Sequence, residues 1–140
     1  MARPTVVLDT GPLIALLDRD EAHHAWAALQ FRKLRPPLLT CDSVLSEASF
    51  LLQRAGLDPS LPIEFLMRGV LEVASPFTSR DGASSVRSLM RRYRNVPMSF
   101  TDACLVVLVE RTKNSSVLTL DSDFRIYRQT NRRVISLLIP

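Results

Sequence analysis

Two short apolar, β-rich runs each end on an aspartate: Thr5–Leu8 leads into Asp9-Thr10, and residues 116–120 lead into Asp121. Runs of this length and composition suit buried parallel strands, which read as nearly continuous apolar segments. Helical patterns occupy most of the chain between them. Strands alternating with helices imply an α/β fold, a three-layer αβα arrangement with a mainly parallel central sheet covered on both faces. In such sheets ligands bind beyond the carboxyl ends of the strands, where loops lead into helices. Acids at those ends stand where chemistry is done.

The remaining elements follow from period and punctuation. Thr10-Gly11-Pro12 is a turn with proline at a helix's first position, continued by a helix through residues 13–17. A second helix is expected over residues 21–34, with Trp26, Leu29 and Lys33 at helical spacing, before Pro36-Pro37 stops it. Residues 38–40 form a short strand. Asp42 caps a helix through Arg54, closed by Gly56, with Val44, Leu45, Ala48, Leu51 and Leu52 as its apolar stripe. A helix over 63–69 and a strand over 70–74 come next, then a polar helix over 79–93 that buries Val86, Leu89, Met90 and Tyr93. Ser99 opens a strongly apolar helix over 102–111, the pattern of a central element. A last strand is expected over 133–138. No repeat or linker interrupts residues 1–140, a length that suits one domain.

Two further acids fall at element starts, in Leu45-Ser46-Glu47 and in Ser99-Phe100-Thr101-Asp102-Ala103, and Asp123 follows closely on Asp121. Each has an ordinary structural explanation. Ser99-x-x-Asp102 fits a capping box, Asp42 is fully explained as a cap, Asp9-Thr10 makes a turn, Asp121 to Asp123 a polar loop, and Glu47 an exposed helix residue. Four separate coincidences at strand and helix ends are harder to accept than one shared site. Clustered carboxylates raise one another's pKa, and a hard cation such as Mg²⁺ or Mn²⁺ relieves the repulsion by taking oxygen ligands. Such a cation lowers the pKa of a bound water and neutralises a departing oxygen, the needs of phosphodiester cleavage, with no histidine or cysteine nucleophile required.

The rest of the composition agrees with that direction. The 18 basic residues against 14 acidic ones give a formal charge of +4, and nearly all the bases are arginine. If the five acids above share a pocket, bases outnumber the other acids about twofold, a surface suited to a polyanion. Arg91, Arg92 and Arg94 with Tyr93 are a candidate basic and stacking surface for a single strand, since guanidinium forks match phosphate oxygens; a solvated helix face and a core tyrosine explain them equally. Cys41 and Cys104 sit among apolar neighbours and read as core residues, not as metal ligands or nucleophiles. His23 and His24 are adjacent on one early helix and read as surface or capping-turn residues. Neither a run of roughly 20 apolar residues nor a signal peptide's apolar stretch is present, so the expected setting is cytoplasmic, away from any membrane.

The set Val-Leu-Asp9-Thr10, Ser46-Glu47, Ser99-Phe-Thr101-Asp102-Ala103 and Thr119-Leu-Asp121-Ser-Asp123-Phe124 resembles the PIN-domain nucleases, and more closely the VapC-type toxin ribonucleases. Each motif alone is common; their order and spacing over nearly the whole chain carry the resemblance. It implies a Mg²⁺- or Mn²⁺-dependent endoribonuclease with an RNA substrate, an antitoxin partner, a homodimer, and a sheet in which the first and fourth strands are neighbours. Carried onto this sequence, Asp9, Glu47, Asp102 and Asp121 are the catalytic and metal-binding acids, Asp123 a further candidate ligand, and Thr10 and Thr101 supporting hydroxyls. The apolar segments 13–17, 25–29 and 61–67 are candidates for a groove that takes an antitoxin helix.

Other classes of protein remain compatible with the residues. One is a non-catalytic nucleic-acid-binding or regulatory α/β domain that keeps the acids for folding; another is a PIN nuclease that processes RNA outside any toxin pair. A phosphoacceptor domain is disfavoured because the only lysines are Lys33 and Lys113, and neither follows a late strand. The Gly-x-x-x-x-Gly-Lys loop of phosphate-binding domains is absent.

Overall fold

The protein is described by a computed structural model over residues 4–140. Met1 to Arg3, the start of the short lead into the first strand, lie outside the described residues. Five strands form one sheet: β1 (Thr5–Leu8), β2 (Leu38–Thr40), β3 (Leu71–Val73), β4 (Ser115–Leu118) and β5 (Leu137–Leu138). Their order is β3-β2-β1-β4-β5, and every pairing is parallel. β1 pairs with β4 along its whole length, Thr5 against Ser115 through Leu8 against Leu118. The expected neighbourhood of the first and fourth strands is therefore present.

Six helices flank the sheet: α1 (Thr10–Leu17), α2 (His24–Lys33), α3 (Asp42–Arg54), α4 (Leu61–Met67), α5 (Arg80–Arg92) and α6 (Phe100–Arg111). Val7, Leu8, Leu38, Val117 and Leu118 of the strands are buried beneath Leu13 of α1, Val44 and Leu52 of α3, Leu89 of α5 and most of α6. α6 buries eight of its residues, Thr101 and then Ala103 through Val109 without a break. That continuous burial explains why its sequence shows no amphipathic period. Thr40 is wholly buried in β2, and its hydroxyl donates to the Leu8 carbonyl at 2.9 Å, so the polar atom is satisfied inside the sheet.

Several boundaries differ from the sequence reading, each for a local reason. α1 starts at Thr10 because Asp9 serves as its cap, accepting from the Thr10 N–H, which moves Pro12 from the first helical position to the third. α2 begins at His24, three residues later than expected, and its inward residue is Ala27, while Leu29 and Lys33 are exposed. Asp42 is not a cap: Cys41 holds that position without a side-chain bond, and Asp42 is the first helical residue, where its charge suits the positive end of the helix. Val44, Ala48 and Leu52 are buried along α3, while Leu45 is partly covered and Leu51 exposed. Gly56 follows the C-cap of α3 at φ +77°, a left-handed conformation that favours glycine. β4 stops at Leu118, so Asp121 does not end a strand but caps a 3₁₀ turn, Ser122–Arg125. The last strand shrinks to Leu137–Leu138, with Val134 bridged antiparallel to Arg128 instead. α4 and β3 sit within two residues or so of their expected places.

Candidate active site at the carboxyl ends of β1 and β4

The chain runs from β1 outward through β2 to β3, then returns to the other side of β1 for β4 and β5. The direction of winding reverses between β1 and β4, and at such a switch point the loops leave in opposite directions and open a crevice. Asp9 follows β1 directly, and Thr119 follows β4. The Asp9 N–H donates to the Leu118 carbonyl at 3.0 Å, so the two strand ends remain joined up to the first acid.

Asp9 is 8% exposed. Its Oδ1 accepts the Thr10 N–H at 2.7 Å, and its Oδ2 accepts the Thr119 hydroxyl at 2.7 Å. The Thr119 oxygen in turn accepts the Asp121 N–H at 2.9 Å, so one buried hydroxyl ties the first acid to the fourth. Burial pushes the Asp9 carboxyl up to about 6; its two hydrogen bonds oppose the rise, and the charges of Asp102 and Asp121 add to it. Asp102 lies in the first turn of α6, its N–H held by the Ser99 cap at 3.0 Å. Its Oδ2 accepts the Tyr127 hydroxyl at 2.8 Å. Its pKa is also raised, chiefly by burial, against the pull of the Tyr127 bond and with a contribution from Asp121. Asp9, Asp102 and Asp121 thus feel one another's charge in pairs. Tyr127, wholly buried, is held protonated by desolvation and by Asp102, with Asp123 and Asp121 adding to the effect.

Glu47 joins the site from α3 by a different route. Its Oε2 accepts the Thr10 hydroxyl at 2.8 Å and its Oε1 the Thr101 hydroxyl at 2.7 Å. Both threonines are buried, one at the start of α1 and one at the start of α6. The carboxylate therefore pins two helix N-termini at the edge of the crevice while the residue itself stays exposed. Asp123 donates its N–H to Asp121 Oδ1 at 2.9 Å and lies at the same rim, half-buried.

The structure brings Asp9, Asp102 and Asp121 into electrostatic range of one another, ties Asp123 to Asp121 through its backbone N–H, and links Glu47 to the group through Thr10 and Thr101. Sequence reasoning assigned no role to Thr119 or Tyr127. Thr119 was visible as a lone hydroxyl in an otherwise apolar strand end; nothing local distinguished Tyr127, whose partner Asp102 is 25 residues away. Arg91, Arg92 and Arg94 are placed differently from one another. The Arg92 guanidinium lies over the Tyr93 ring and donates to the Gln129 carbonyl, and Tyr93 packs edge-on against Tyr127 and accepts the Arg128 N–H. Arg91 and Arg94 point outward. His24 Nδ1 is bonded to the Ala15 carbonyl at 2.7 Å, joining α1 to α2. Cys41 and Cys104 are buried free thiols; burial raises both, Cys104 to about 12, so neither is a ready nucleophile.

Among the described residues no three His, Cys, Asp or Glu side chains form a ready-made metal cage. Mg²⁺ does not need one, since it keeps several waters and is held by one or two carboxylates. The donors are all oxygens, Asp9 sits in a field of like charge that a cation would relieve, and Asp102 uses only Oδ2 in its bond to Tyr127. The donor set fits a hydrated hard cation.

The PIN domain family model matches residues 6–129, and the all-parallel sheet with carboxylates collected at its switch point agrees with it: the chain belongs to this family. None of the curated proteins matches it. Among solved structures it is similar to VapC20 of Mycobacterium tuberculosis, a sarcin-ricin-loop-cleaving toxin, at 21% identity and a TM-score of 0.73, covering 85% of this chain and 92% of that one. At that identity the likeness is one of fold. No helix among the described residues is long and apolar enough to cross a membrane.

Proposed function

We propose that the protein is a metal-dependent endoribonuclease, the toxin of a toxin–antitoxin pair, working as one domain on RNA in the cytoplasm. The observation that carries the reading is the convergence of Asp9, Asp102 and Asp121 at the β1/β4 switch point, where burial raises Asp9 above its ordinary range and the charges of the other two acids add to the rise. A buried cluster of that kind costs stability unless something uses it. Family membership and the fold of a toxin that cleaves the sarcin-ricin loop support RNA as the substrate class.

In this reading Asp9, Asp102, Asp121 and Asp123 would hold Mg²⁺ or Mn²⁺, which when bound would supply an activated water and offset charge at phosphorus. The chain's own contribution is preorganisation. Thr119 and the Thr10 N–H hold both oxygens of Asp9, fixing its plane; Tyr127 fixes Asp102 through Oδ2 and leaves Oδ1 out of that bond. Glu47, locked by two buried hydroxyls, keeps the starts of α1 and α6 at a set separation, so that Asp9 and Asp102 cannot drift apart. An apolar hollow lined by Leu16, Phe31, Leu34, Phe65 and Val70, with Arg68 beside them, would take an apolar side chain of an antitoxin's helix. A two-fold dimer is the expected assembly.

The test is cleavage of a labelled structured RNA and a single-stranded RNA by purified protein in Mg²⁺, Mn²⁺ or EDTA, beside Asp9→Asn and Asp102→Asn. Cutting that requires the metal and is lost in both variants is the expected result. A folded, partner-free wild type that binds RNA yet cuts neither substrate under any metal would make the acids structural and the protein a binding domain.

A further inference from the structure

Three consecutive residues at the start of α6 point three ways, because successive helical side chains lie about 100° apart. Thr101 turns inward to Glu47, Asp102 turns to Tyr127, and Phe100 turns out to solvent. Phe100 is 48% exposed, and so is its neighbour Phe77 at 46%, on the 3₁₀ turn Pro76–Thr78. Their rings are stacked, 5.7 Å between centroids and 13° from parallel. A flat, half-exposed aromatic pair therefore stands two residues along the chain from a candidate catalytic acid.

The floor beside this pair is cationic. Phe77 and Phe100 line one hollow with Ala83, Val86, Met90 and the arginines Arg87, Arg91 and Arg94. Arg87 and Arg91, four residues apart on α5, share one face, and Arg94 just beyond the helix end lines the same hollow. Like charges at that spacing weaken a helix, and among the described residues neither Arg87 nor Arg91 has an ion pair or side-chain hydrogen bond to offset this. Arg94 donates to the Arg91 carbonyl, which holds its arm across the helix end. Asp102 follows Phe100 by two residues in α6, and the arginines line the hollow beside Phe100. That arrangement suits a polyanion whose reacting phosphate sits over the acids while its flanking backbone follows the arginines.

We propose that Phe77 and Phe100 form a stacking platform for an unpaired base next to the scissile phosphate, with Arg87, Arg91 and Arg94 gripping the adjoining backbone of a single-stranded segment. The proposal rests on the nuclease reading for its placement, and it names the residues that would make the enzyme select unpaired RNA. Stacking on an aromatic face tolerates any base, so the platform recognises single-strandedness and not a sequence.

The test measures binding apart from cutting. A fluorescein-labelled single-stranded oligoribonucleotide carrying 2-aminopurine is titrated in EDTA against wild type, Phe100→Leu, Phe77→Leu and the double variant Arg87→Gln/Arg91→Gln, with the mass of each in solution measured alongside. Leucine keeps the apolar cover, and both arginines are exposed, so folding is preserved. Each Phe variant is expected to weaken binding about tenfold and to abolish the 2-aminopurine quenching. The arginine variant is expected to lower the slope of log affinity against log salt by about 0.7 for each charge removed. If the wild type cuts RNA and both Phe variants bind and quench as it does, the platform is overturned and the nuclease reading stands. If the wild type binds and quenches without cutting, the nuclease reading fails and the platform stands. If the Phe variants change the protein's mass in solution while RNA binding is unaltered, the pair is a contact between chains and the proposal is overturned.

Discussion

Replacing Asp9 by asparagine should make the metal-free protein more stable, the opposite of what removal of a doubly hydrogen-bonded buried side chain does in general. Asparagine can keep the Thr10 N–H bond through its oxygen, but its NH₂ faces a Thr119 oxygen that already accepts the Asp121 N–H, so the displaced Thr119 hydroxyl proton gives back about 1 kcal/mol of any gain. What disappears is the cost of a desolvated charge among other carboxylates. Asp9 rises from 3.8 to about 6, a shift of roughly two units, worth about 3 kcal/mol at about 1.4 kcal/mol per unit. Because the folded value is the higher one, Asp9 favours the native state fully below about pH 4 and loses that contribution as pH climbs through about 6. At pH 7.5 in EDTA the variant should exceed wild type by up to about 2 kcal/mol, roughly 7 °C in Tm for a domain of this size. At pH 4 the gain should vanish. Urea unfolding of both proteins from pH 4 to 8 in EDTA reads this directly, and taking the difference between them cancels carboxylates remote from the site. A variant no more stable than wild type at pH 7.5, or an advantage that does not grow with pH, would refute the account of Asp9 as a charge held against its solvation.

The other expectations concern the groups that hold the acids. Thr101→Val removes one of the two hydroxyls on Glu47 and should cost about 1 kcal/mol in urea unfolding, with a larger proportional loss in RNA cleavage because the α6 start is no longer pinned. Tyr127→Phe deletes the bond that holds Asp102 down, so the acid limb of the cleavage profile should move to higher pH, and stability should fall by about 1–2 kcal/mol; an unmoved limb would separate Tyr127 from the site. Gly82→Ala should destabilise by about 2 kcal/mol or more, since a Cβ there would lie 1.6 Å from the Pro76 carbonyl oxygen, which Arg111 also holds; a neutral thermal shift would contradict that close packing of α5 on the 3₁₀ turn.

What could be read in advance follows the range of the forces involved. The β1-Asp9-α1 junction and the burial of α6 were legible because each is written in a dozen or fewer adjacent residues: an apolar run, a cap, a helical period. Boundaries slipped where two local devices compete. Asp9 and Pro12 both signal a helix start, and the side-chain bond to the Thr10 N–H won. Asp42 lost its expected cap to Cys41, whose extended backbone alone turns the chain into α3. The basic run at 91–94 could not be resolved from sequence, because whether an arginine faces solvent or a backbone carbonyl depends on what the fold puts beside it; Arg92 met Gln129, 37 residues later.

The sequence by itself determined most element types, the parallel sheet and the cationic balance, since these depend on composition and on periodicities shorter than a helix. Only the tertiary structure decided that the acids meet. Thr119 reaches Asp9 across 110 residues, Glu47 joins Thr10 and Thr101 across 37 and 54, and Tyr127 comes back to Asp102. Those contacts exist because the winding reverses between β1 and β4, and a reversal of strand order leaves no mark on any short stretch of chain.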